Sequence, residues 1–137
     1  MTRRSAVFGI PVEGVDAVWN EARPFLSMAL AYDDNRFNIE DLLARVKDES
    51  MQLWVAYDEF SLHAAAVTEI IVFPNARVLR CAYAGGDNIE GALWFDQVLE
   101  QGAHEKQCSC IEIIGRRGWL KLLDGYKPTH TVMRKYL

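Results

Sequence analysis

Arg80-Cys81-Ala82-Tyr83-Ala84-Gly85-Gly86-Asp87-Asn88-Ile89-Glu90-Gly91-Ala92-Leu93 is the stretch on which the fold turns. Its first part closes a strand predicted over Arg77 to Ala84, and Gly85-Gly86 ends it. Asp87 or Asn88 then caps a helix running to about Lys106. The inner stripe of that helix is Ala92, Phe95, Leu99 and Ala103, at helical spacing. Asp87-x-x-Glu90 has the spacing of a capping box, in which side chains satisfy the first helical N–H groups. Gly85-Gly86 reads as a turn that needs φ > 0, or as a small nest of N–H groups for an anion.

Upstream lies a meander. Gln52 to Tyr57 is a strand, Asp58-Glu59-Phe60-Ser61 a turn, Leu62 to Phe73 a longer strand and Pro74-Asn75 a second turn. Short turns between consecutive strands make the pairing antiparallel. Further upstream, residues 5–10 form a short first strand. Val15, Val18, Trp19, Ala22, Leu26 and Leu30 recur at helical spacing, and Pro24 is expected to kink or divide that helix. Asn38 caps a second helix, with acidic residues in its first turn and Leu42, Leu43 and Val46 on its buried face.

Downstream, Cys108 to Ile114 is a strand. A strand, a long helix and a further strand imply a parallel crossover. Gly115-Arg116-Arg117-Gly118 is a turn, Trp119 to Leu123 a short helix ended by Gly125, and Tyr126 to Tyr136 a final strand. The fold class is α/β (α+β): a mixed, mostly antiparallel twisted sheet flanked by helices, in one domain over residues 1–137.

Composition sets limits on function. Half of the 137 residues are apolar and 25% are charged, the balance of a soluble globular chain able to form a core unaided. No apolar run approaches the length that crosses a bilayer, and no targeting segment stands out, so cytoplasm is the expected location and no membrane partner is expected. The cysteines are Cys81, Cys108 and Cys110; an odd count and Cys-x-Cys spacing argue against a disulfide framework. No His lies at ligand spacing from a Cys pair, so no metal site is expected. The net charge of −4 is uneven: residues 1–114 hold nine basic and eighteen acidic side chains, residues 115–137 six basic and one acidic. A basic end on an acidic body either faces an anion or pairs with that body. Nucleic acid is not expected, because few aromatics interleave with the basic residues. Aromatics on the first helices would permit a homodimer.

The element order, the Arg80–Leu93 join and the segment Gly115 to Tyr126 ending in Gly125-Tyr126 resemble the GCN5-related N-acetyltransferase (GNAT) superfamily. Ala84-Gly85-Gly86 and Gly115-Arg116-Arg117-Gly118-Trp119 look more narrowly like small GNAT-like proteins of bacteriophages. The resemblance implies an acyltransferase that moves an acetyl group from acetyl-CoA, or a related acyl-CoA, to an unidentified small-molecule or protein amine. It implies that Cys81, Ala82 and Tyr83 offer a strand amide to the acyl carbonyl, and that Gly85, Gly86 and Asn88 lie along the pantetheine and pyrophosphate. The family's phosphate loop ends in a later glycine where this chain has Glu90, with Asp87 nearby. Carboxylates at a helix N-terminus oppose a pyrophosphate that the helix dipole would otherwise attract. Arg116 and Arg117 are the candidates to neutralise phosphate. The family's proton-donating Tyr falls on Lys121. Glu69, a lone carboxylate in the apolar run Ala64 to Phe73, is the candidate base, and an ion pair with Arg80 is the competing reading. A GNAT fold that has lost catalysis and serves as a binding or structural module, for instance of phage origin, is the alternative. His63 and His104 are expected at the surface.

Overall fold

The structure is a computed structural model that describes residues 6–32, 36–59, 61–86, 89–114 and 123–137, with the backbone alone for 89–94. Strand β1 (Ala6–Ile10) leads through a short 3-10 turn into helix α1 (Val15–Leu30) and then α2 (Ile39–Lys47). Strands β2 (Gln52–Tyr57), β3 (Leu62–Phe73) and β4 (Ala76–Gly86) follow, then helix α3 (Ile89–Glu105) and strand β5 (Cys110–Ile113). The five strands form one sheet in the order β1-β2-β3-β4-β5. The first four pair antiparallel and β5 runs parallel to β4, as the crossover through α3 requires. The mixed, mostly antiparallel sheet read from the sequence is present.

Each face of the sheet has its own core. Val15, Trp19, Ala22 and Leu26 of α1 and Leu42 and Val46 of α2 pack on Leu53, Val55, Ala65 and Val67. On the other face, α3 sets Phe95 against Ala56, Ala64, Ala66 and Cys81, and Leu99 and Ala103 against Leu79. Alternation along β2 and β3 explains the division, since neighbouring strand residues point to opposite faces. Trp54 shows how a polar group survives there: its indole N–H donates to the buried Thr68 Oγ1 at 2.8 Å.

Several local expectations change. Helix α1 runs through Pro24 as one helix. Pro24 removes the N–H that would reach Asn20, and both residues are exposed, so water can take the freed carbonyl. Gly85 and Gly86 are not a turn after the strand; they are its last two residues and pair with Ala65 and Ala64. Neither has positive φ, which among the described glycines belongs to Gly125 alone (φ 83°). Their role is close approach. A Cβ on Gly85 would collide with the Phe25 carbonyl oxygen of α1, and one on Gly86 would lie 2.7 Å from the Ala64 Cβ. His63 is buried rather than at the surface, because it sits on β3, the middle strand of the sheet, with β2 and β4 on either side. The final strand over Tyr126 to Tyr136 does not form; residues 126–137 have no regular structure and no ladder partner among the described residues. A strand is defined by ladder hydrogen bonds to a neighbouring strand, and the segment makes no ladder with the described strands. The short helix expected from Trp119 falls mostly outside the described residues.

Candidate functional site

The site is built where β4 and β5 part. Their pairing runs from Val78 with Cys110 to Cys81 with Ile113 and then stops. β4 continues to Gly86 while β5 ends at Ile113, so its backbone edge from Ala82 onward has no β5 partner. At the same point the β3–β4 ladder slips. Val67 pairs with Tyr83 and Thr68 with Cys81, which leaves Ala82 opposite no residue of β3. This is a β-bulge, one extra residue that turns a backbone group out of the ladder. Ala82 is thus unpaired in both ladders.

The side chains around the bulge go to the two cores. Tyr83 joins the α1–α2 side, where the Phe37 ring meets it edge-on at 6.1 Å. Cys81 and Ala84 join the α3 side. Cys81 is buried, and burial pushes its thiol up to about 12 by penalising the thiolate. Tyr126 donates from its hydroxyl to Asp96 Oδ1 of α3 at 2.6 Å. Its phenol is pushed above the ordinary range, first by burial, then by the bond to Asp96 and the negative charges of Asp96, Cys81 and Glu100. Tyr126 is therefore a held, neutral hydrogen-bond donor beside the parting strands. Sequence reading noticed Gly125-Tyr126 as a local pattern and gave the hydroxyl no role; the pairing with Asp96 spans thirty positions and leaves no local signal.

Glu69, Arg80 and Glu112 form a row across three strands. Glu69 is in register with Arg80, and Arg80 with Glu112. Arg80 Nη2 donates to Glu112 Oε1 at 3.0 Å and its Nε to the same oxygen at 3.3 Å. Arg80 Nη1 lies 4.0 Å from Glu69 Oε1. The ion pair weighed for Glu69 is present in loose form, and the tighter partner of Arg80 is Glu112. By strand alternation the row lies on the α1–α2 face, one residue before the strands part. Two carboxylates facing one guanidinium leave a net negative charge there.

The remaining expected site residues are apart or outside view. Asn88, Arg116, Arg117 and Lys121 lie outside the described residues, as do Asp87 and the side chain of Glu90. Gly85 and Gly86 belong to an extended strand, so they do not make an N–H nest, which needs alternating helical-type φ. Among the described residues no group of three or more His, Cys, Asp or Glu could hold a metal ion, and no helix is long and apolar enough to cross a membrane. An open recess of about 310 Å³ is lined by Arg36, Phe37, Asp41, Ala44, Arg45 and Asp48. It belongs to α2 and the segment before it, and Phe37 in its lining meets Tyr83 of β4.

Comparison with known proteins gives the architecture its name. No family model matches the sequence, and no curated protein matches it. Solved structures do match. The aminoglycoside acetyltransferase meta-AAC0020 from an uncultured soil metagenomic sample, in complex with sisomicin, superposes with a TM-score of 0.72 at 8% identity, over 97% of this chain and 95% of that one. Aminoglycoside N-acetyltransferase AAC(6')-Iy in complex with CoA gives 0.69 at 11% identity, over 100% and 97%. A predicted acetyltransferase with acetyl-CoA from Clostridium acetobutylicum gives 0.65 at 12%, over 97% and 96%. The chain has the GNAT fold. At these identities the likeness is one of fold. The parting of β4 and β5 and the bulge at Ala82 are features of this chain's own backbone.

Proposed function

We propose that the protein transfers an acyl group from an acyl-CoA, with acetyl-CoA as the reference donor, to an amine. The observation that carries this reading is the bulge at Ala82, placed where β4 loses its β5 neighbour. A backbone N–H freed there is fixed in direction by the sheet. Such a preorganised donor stabilises charge that develops on an acyl oxygen under attack. Cys81 and Tyr83 then serve through backbone and packing, since their side chains are committed to the two cores. Gly85 and Gly86 extend the open edge along which the pantetheine arm would lie.

Glu69 is the candidate to take the proton of the attacking amine. Arg80 holds Glu112 more closely than Glu69, which leaves Glu69 the freer acceptor. The amine nitrogen bonds to the acyl carbon, the carbon–sulfur bond breaks, and the leaving thiolate takes up a proton. Lys121 is the proposed donor of that proton, and Arg116 and Arg117 the proposed partners of the phosphates. The fold neighbours crystallised with CoA and with acetyl-CoA support the donor class.

Acetyl-CoA and free CoA provide the test, since only the former has an acyl carbonyl. One additional hydrogen bond, worth about 1 kcal/mol, should make acetyl-CoA bind roughly five-fold tighter than CoA. Ala82→Pro deletes the N–H at a position where a bulge tolerates proline. That variant should retain CoA binding and lose the preference. Equal affinity of the wild type for both ligands would refute the assigned role of Ala82.

A further inference from the structure

We draw no further inference here: the strongest candidate, the outer edge of β1, along which no described strand pairs and where Phe8 is 52% exposed, carries nothing because nothing in the structure shows what covers it.

Discussion

Gly85 is, among the described glycines, the one whose replacement the packing tolerates least. A side chain there meets backbone, the Phe25 carbonyl of α1, and not the yielding end of a flexible group. Gly85→Ala should cost about 2–3 kcal/mol as α1 is forced off the sheet. Gly125 is a contrast: nothing lies within 4 Å of its missing Cβ, but its φ is 83°. Gly125→Ala should cost only about 1 kcal/mol, through backbone strain. Urea unfolding of the two variants measures both, and equal losses would contradict the distinction. Cys81 makes a second residue-scale prediction. Its thiol is buried and its pKa raised to about 12, so Cys110, which is exposed, should react with a thiol reagent long before Cys81 at neutral pH. The pH dependence follows the same direction. A thiol whose folded value lies above its ordinary 9.0 contributes stability below pH 9, and that contribution is lost as pH rises toward 12. Cys81→Ala should flatten the decline of stability across that alkaline window.

Among the elements, α2 depends most on a single cap. The Asn38 side chain accepts from the Asp41 N–H at 2.8 Å, and Asp41 accepts from the Asn38 N–H at 2.9 Å. Nine residues make a short helix, so Asn38→Ala should destabilise the protein by about 1 kcal/mol. A double change with Asp41→Ala should cost less than the sum of the two, because each removes the same reciprocal contact. This cap was legible in the sequence because capping chemistry is local. So were the meander and the α3 crossover, whose signals are alternation and helical spacing. What could not be read depends on distant neighbours. Gly85-Gly86 looks like a turn until α1 is laid over it. Tyr126 to Tyr136 looks like a strand, but whether it becomes one depends on an edge to pair with. The row Glu69–Arg80–Glu112 was half visible: the first two residues sit on adjoining strands of a meander, whereas Glu112 arrives only through parallel register with β4.

At the scale of the molecule, an acidic body carries a sheet whose fourth and fifth strands part at Cys81 and Ile113, with a bulge at the parting. The proposed acyl-CoA reading rests on that parting, and the sequence adds a handicap to it. Glu90 belongs to the first turn of α3 and Asp87 precedes that helix in the sequence, beside the proposed pyrophosphate position. Removing one carboxylate should help: Glu90→Gly is expected to tighten CoA binding about five-fold, since one like-charge contact is worth about 1 kcal/mol at 4 Å in water. Weaker binding after that change would contradict the electrostatic reading of the helix start. The central claim is that the cleft between β4 and β5 holds an acyl-CoA. Its most direct test is the melting temperature of the purified chain during titration with acetyl-CoA. At a hundred times the dissociation constant the ligand should stabilise the fold by about 2.7 kcal/mol, a rise of roughly 8 °C for a domain of this size. An unchanged melting temperature at millimolar acetyl-CoA would contradict it.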